Sequence, residues 1–187
     1  MLKKQLLLLA VFVLTLAPAF IFAQEYDFEK ATELAQPNEN HKRLEEFTGP
    51  SNYTMTSSMG GVQMDGKGTV TGKMILGGRF LMQESVGTMF GQTVESITIM
   101  GYDNAIGKYT MIGLDELGTY YITAEGDYDE ATKTYTLDGS YIEPVMKVEM
   151  DYRFVIAVTN PDEVITKILF DNGQGGMDEM MRLVYTK

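Results

Sequence analysis

The chain has no cysteine, no tryptophan and one histidine, His41. Without cysteine there can be no disulfide, no thiol nucleophile, no thiolate zinc site and no lipid on an N-terminal cysteine. With one histidine, a catalytic triad or a haem ligand would have to use His41. A zinc centre would need several carboxylates instead, and their spacing suggests none. Basic residues are also scarce, 15 against 26 acidic ones, giving a net charge of −11. Such a chain repels nucleic acid and anionic headgroups, so neither is expected as a partner. No G-x-S-x-G occurs, so no nucleophile elbow is present. The acidic turns Asp127-Tyr128-Asp129-Glu130 and Asp171-Asn172-Gly173 do not fit the calcium-loop frame.

What is present begins with an export pattern. Lys3 and Lys4 precede an unbroken apolar run, Leu6 to Leu14, then Pro18 and Ile21-Phe22-Ala23, with no acid before Glu25. A charged start, an apolar middle and a small-residue end describe a secretory leader over residues 1–23, cut after Ala23 or, alternatively, after Ala19. The same stretch is about long enough, at roughly 18 residues, to be kept as a membrane anchor. Cleavage implies a periplasmic or secreted protein without stable membrane insertion and with a charge of −13, since the leader removes two lysines and no acid. The remaining ~160 residues form one domain by length and can bury a core without disulfides.

Residues 24–37 read as a polar linker with one helical turn. Asn38 can cap a short helix ending at Phe47, with Leu44 and Phe47 on one face and Gly49-Pro50 as its stop. From there the pattern has period two. Met146, Val148, Met150, Tyr152, Phe154, Ile156 and Val158 alternate with Lys147, Glu149, Asp151 and Arg153, predicting a strand over 145–158. Residues 120–128 and 132–141 alternate likewise. Turn signals such as Gly77-Gly78, Asp103-Asn104, Asp129-Glu130, Asn160-Pro161 and Asn172-Gly173 recur every ~8–16 residues. The expectation is an all-β, antiparallel up-and-down barrel of about ten strands over residues 38–187, with the short helix closing one end; a sandwich would show the same periodicity.

An ordered series of residues carries a family likeness. It opens with His41-Lys42, Leu44 and Gly49. It continues through Leu76-Gly77-Gly78-Arg79-Phe80-Leu81, Glu84, Gly87, Met89, Gly91 and Glu95. Gly101-Tyr102-Asp103-Asn104, Gly107-Lys108-Tyr109, Asp115, Gly118-Thr119, Gly126, Tyr128 and Asp129 follow, and Val184-Tyr185-Thr186 ends it. This resembles the bacterial domain of unknown function 1579 from His41 to the C-terminus. The resemblance implies a calycin- or lipocalin-like barrel. It also shows departures: family members carry tryptophans on the first strand and where Gly113 stands, and a late histidine where this chain reads Asn160-Pro161-Asp162-Glu163. Space left at Gly113 would be open or refilled by methionine.

Glu84 shares its strand face with Phe80, Met82, Val86 and Phe90. A carboxylate among apolar neighbours is either a polar anchor in a cavity or an ion-pair partner, here of Arg79 or Arg153. The residues read as lining a lumen are Phe80, Met82, Glu84, Met100, Gly113, Met150 and Tyr152. Methionine, 14 in all, is either gap filler or an adaptable lining. The Met177…Met180-Met181 group is a weak copper(I) signal. Asn52-Tyr53-Thr54 matches a glycosylation sequon by chance in a bacterial chain. No catalytic set, cofactor or metal is expected. Two functions stay open: a binding protein for a small apolar or amphipathic molecule, and an envelope module whose interior is filled by its own side chains. An enzyme using Glu84 is a third, lacking any second catalytic group.

Overall fold

The structure is a computed structural model that describes residues 26–187 apart from 59, 60 and 90. The expected leader and Phe90 lie outside the described residues. Helix α1 (Phe28–Leu34) is a unit of its own. It is seven residues long rather than the single turn expected, because the Asp27 carboxylate accepts from the Lys30 N–H at 2.8 Å and caps it.

The second unit, Ala35–Lys187, starts with α2 (Glu39–Arg43), which runs into a 3-10 turn, Leu44–Phe47. Asn38 caps α2 as expected: its side chain accepts from Asn40 N–H at 2.9 Å. The return bond of this capping box comes from His41, whose Nδ1 accepts the Asn38 N–H at 3.1 Å. His41 is therefore a capping residue, and burial holds its pKa below the ordinary imidazole value. Gly49, at φ +88°, then turns the chain into the sheet.

Ten strands follow: β1 (Gly49–Ser57), β2 (Met64–Ile75), β3 (Phe80–Met89), β4 (Gln92–Asp103), β5 (Lys108–Asp115), β6 (Ile122–Asp129), β7 (Thr134–Ile142), β8 (Glu149–Asn160), β9 (Glu163–Asp171) and β10 (Met177–Thr186). Each pairs antiparallel with the next, and β1 pairs with β10, so the barrel is closed and leaves no strand edge unpaired. The expected strand 145–158 begins four residues later than its alternation suggests. The Glu143 carboxylate accepts the N–H groups of Val145 and Met146, and Lys147 adopts φ +56°. Residues 143–148 thus make a closed turn that alternation alone does not reveal.

The helical segment plugs one end of the barrel. Leu44 is fully buried against Leu81, Met100, Tyr109, Tyr135 and Leu137. Around it stands a layer of tyrosines. Tyr109 and Tyr135 meet edge to face at 4.8 Å, Tyr128 and Tyr135 lie 4.6 Å apart, and Phe47 tilts onto Tyr135 at 5.6 Å. Tyrosines, rather than methionines, occupy this end of a barrel that has no tryptophan.

The family-like motifs explain how the plug is held. Arg79 donates twice to the Ala35 carbonyl, at 2.8 and 3.1 Å, from a loop whose Gly77 and Gly78 have positive φ. Asn104 accepts from Asn38 Nδ2 at 2.7 Å and donates to the Gln36 carbonyl at 2.8 Å. Arg43 reaches Glu130 at 2.6 Å while lying over the Tyr128 ring. These residues clamp the plug across the loops of the barrel end, which is a structural role.

Candidate functional site

Inside the barrel lies a cavity of about 100 Å³. Its two walls differ. Val70, Met100, Met111, Phe154 and Ile156 form the apolar one, and Ser51, Gln83, Thr98, Thr166 and Tyr185 form the polar one. The mouth lies beside the plug, between Glu46-Phe47 and Pro161-Asp162-Glu163 with Lys187. All charged lining residues are at that mouth, so the interior is uncharged.

The polar wall follows from strand parity. On β3 the inward residues are Leu81, Gln83 and Ser85; across the pair on β4 they are Met100, Thr98 and Ser96. Ser85 and Ser96 satisfy each other at 2.7 Å. Gln83 and Thr98, one register step along, make no side-chain hydrogen bond to any described residue, and neither does Thr166 on β9, only 8 % exposed. Tyr185 lies tilted against Tyr53, ring centres 5.8 Å apart, and burial pushes its phenol pKa up. Gln83 and Thr98 are half-buried, and the fully enclosed unpaired side-chain atoms among the described residues are Ser57 Oγ and Tyr135 Oη, so the polar wall faces accessible space in which water or a guest can pair with it.

Only one of the expected lumen residues, Met100, lines this cavity. Tyr152 is buried, but its hydroxyl donates to the Thr123 carbonyl at 2.6 Å. Gly113 faces inward, yet leaves no open space: a Cβ there would meet the Ile122 side chain at 3.0 Å. Ile122, rather than methionine or a guest, fills that gap. Met150 sits at the opposite end, in a separate concavity with Tyr141, Met146, Phe170 and Met180.

The placement of Phe80, Met82 and Glu84 in the lumen is corrected. Leu81 is buried and Glu84 exposed, so the even-numbered residues of β3 face outward. Phe80 is apolar for an outer-surface reason: its ring covers Gly101, the residue opposite it on β4. Glu84 pairs with Lys73 at 2.9 Å, both side chains 53 % exposed, and not with Arg79 or Arg153. Arg153 instead forms a two-point contact with Asp138. Glu84→Gln is accordingly expected to change the urea-unfolding free energy by less than about 1 kcal/mol, as exposed pairs do. A loss of several kcal/mol would contradict this placement.

The polar lining was missed because polar residues on a strand are read as the solvent face. Gly101 opposite Phe80 was the available signal, since an aromatic over a glycine needs no core to bury it. The two adjacent methionines of the C-terminal group diverge: Met181 packs with Met55 and Leu183, and Met180 lines the opposite concavity. The acidic turns use their carboxylates locally, Asp129 accepting from Ala131 N–H and Asp171 from Gly173 N–H, both at 2.8 Å.

A closed, plugged antiparallel barrel around an internal cavity defines a calycin-like protein. The chain belongs to the family described as protein of unknown function DUF1579, whose model matches residues 36–187. A search of curated proteins found no match. Among solved structures it is similar to Rv2717c from M. tuberculosis, with a TM-score of 0.58 at 12 % identity over 81 % of this chain and 99 % of that one. It is also similar to the S-type phycobiliprotein lyase CPES from Guillardia theta, with a TM-score of 0.52 at 10 % identity over 86 % and 96 %. At these identities the likeness is one of fold.

Proposed function

We propose that this is an exported binding protein that holds a small, uncharged amphipathic group in its barrel. The carrying observation is the unpartnered polar wall of Gln83, Thr98 and Thr166 facing Met100, Met111, Phe154 and Ile156. A barrel that only packed its own interior would place apolar residues there or pair the polar ones. The leader pattern at residues 1–23 supports export, and the phycobiliprotein lyase shows that a barrel of this shape occurs in a protein named for acting on a pigment-bearing partner.

Size limits the guest. Ligand pockets usually run to about 300–1,000 Å³, while a cavity of roughly 150 Å³ accepts benzene. A volume of about 100 Å³ is smaller than that, so it takes part of a ring-bearing molecule, the rest lying in the mouth past Phe47 and Pro161. The modest volume is also what favours the other reading, a self-filled envelope module.

A titration with p-cresol, which carries one ring and one hydroxyl, separates the two. Methyl-labelled methionine resonances of Met100 and Met111 are expected to shift saturably, with Met146 unmoved. Thr166→Val combined with Gln83→Leu is expected to weaken this by about tenfold, the effect of removing one to two hydrogen bonds, without lowering the melting temperature. No shift at Met100 or Met111, together with no co-purifying small mass from the native compartment, would favour the self-filled module.

A further inference from the structure

We propose that the end of the barrel away from the plug docks on a membrane surface of zwitterionic lipid. Two loops carry the inference, residues 116–121 between β5 and β6 and residues 143–148 between β7 and β8. Their apolar side chains point out: Val145 is 85 % exposed, Met146 and Tyr121 64 % each, and Leu117, Tyr120 and Val148 close to half. The loops are neighbours, since Tyr120 stacks on Tyr141 at 6.2 Å and 17°.

Charge selects the occupant. The acids at these loops are engaged by backbone N–H groups, of the loops themselves or, for Glu116, of β4. Asp115 accepts from Leu117 N–H at 2.8 Å, Glu116 from Glu95 N–H at 3.0 Å, and Glu143 from Val145 and Met146. Among the described residues of the two loops, Lys147 is the one charged side chain without a hydrogen bond or ion pair. In a chain of net charge −11, these two loops bring together aliphatic tips, two exposed tyrosines and an unpaired lysine. Tyrosine and lysine are side chains that settle at the headgroup level while aliphatic tips enter the acyl boundary. The excess negative charge elsewhere on the chain disfavours an anionic surface. A protein partner would need matching relief for tips on two separate loops; a lipid surface deforms around them.

The absence of tryptophan makes the test direct. Tyr121→Trp places one fluorophore on a docking loop, and Ile106→Trp places one in the β4–β5 loop at the plug end, where Ile106 is already exposed. The full chain is used for both, so residues 1–25 contribute equally. With phosphatidylcholine vesicles, Tyr121→Trp is expected to shift to the blue and to be quenched by brominated acyl chains, and Ile106→Trp to do neither. Adding Val145→Asp is expected to reduce the Tyr121→Trp response by about tenfold, as removing one buried aliphatic side chain would. Phosphatidylglycerol in the vesicles is expected to weaken the response at low salt. Equal quenching of both tryptophans, or none at residue 121, would overturn the proposal. So would a blue shift that grows with protein concentration in the absence of lipid, which would assign the surface to a second copy of the chain.

Discussion

Raising the pH from about 10 to about 12 is expected to unfold the barrel in one steep step, with tyrosinate absorbance appearing as far-ultraviolet ellipticity is lost. The interior depends on phenols. Tyr53, Tyr109, Tyr135 and Tyr152 are buried, and Tyr185 lines the internal cavity. In all five, burial is the first cause that lifts the pKa above the ordinary value of 10.0. Because the folded value is the raised one, the contribution of each phenol is intact below about pH 10. It is lost as the pH rises from there toward the folded value, while the unfolded chain releases the proton freely. Tyr135 and Tyr185, the two most strongly shifted, each cost about 1.4 kcal/mol per pH unit in that window, about 6 kcal/mol together over two units, and Tyr53, Tyr109 and Tyr152 add to this in the same direction. A domain held by roughly 5–15 kcal/mol has then lost much or all of its stability within about two units. Tyr135 offers an internal check, since its buried hydroxyl has no hydrogen-bond partner among the described residues. Tyr135→Phe is expected to release one proton fewer in the transition and to gain about 1 kcal/mol at neutral pH, where an unsatisfied hydroxyl has been removed. A gradual titration with ellipticity retained would show that the phenols are reached by hydroxide without unfolding.

The same tyrosines show how far the sequence could be read. Alternation and turn chemistry are local, and they sufficed for the antiparallel strands, about ten in number, and for the Asn38 cap, while closure into a barrel rather than a sandwich came from the family resemblance. Register and parity depend on what lies across the strand, and there local reading failed. Residues 80 to 86 set Phe80, Met82 and Val86 with Glu84 on one face and Leu81 with Gln83 and Ser85 on the other, so the face richer in apolar residues is the even-numbered one. Yet the apolar set faces outward, because Phe80 is needed over Gly101 and the β3–β4 pair turns Gln83 and Thr98 toward the cavity. Val145 to Val148 continue the alternation of β8 but belong to a turn held by Glu143. In both cases the deciding contact is a side chain or backbone group that period-two counting ignores. The site was therefore legible only in part: Met100 was placed on an inward face, while its polar counterparts Gln83, Thr98 and Thr166 were not picked out.

Substituting alanine at Gly126 is expected to cost about 3 kcal/mol or more, whereas alanine at Gly113 is expected to cost about 1 kcal/mol or less. Both glycines face the interior of neighbouring strands; the family-like pattern includes Gly126 and departs at Gly113, but does not say what a side chain would cost at either. Their surroundings do. A Cβ on Gly126 would run into the Thr136 carbonyl oxygen and lie 2.9 Å from Leu137 Cα, both backbone atoms of β7. Relief would require β6 and β7 to separate, and Leu137 and Tyr135, both fully buried on β7, would be displaced with them. Overpacking of this kind typically costs about 1–3 kcal/mol where side chains can yield, and more where only backbone can. At Gly113 the nearest atoms are Ile122 Cγ1 and Cδ1, at 3.0 and 3.3 Å, the outer atoms of a side chain that can change rotamer. Alanine also lowers the entropy of the unfolded chain at either position, a gain of about 0.4–1 kcal/mol that offsets most of the Gly113 clash and little of the other. Urea unfolding of the two variants measures the difference. Equal losses would mean that Ile122 is as fixed as the β7 backbone, and that the gap at Gly113 belongs to the packed core.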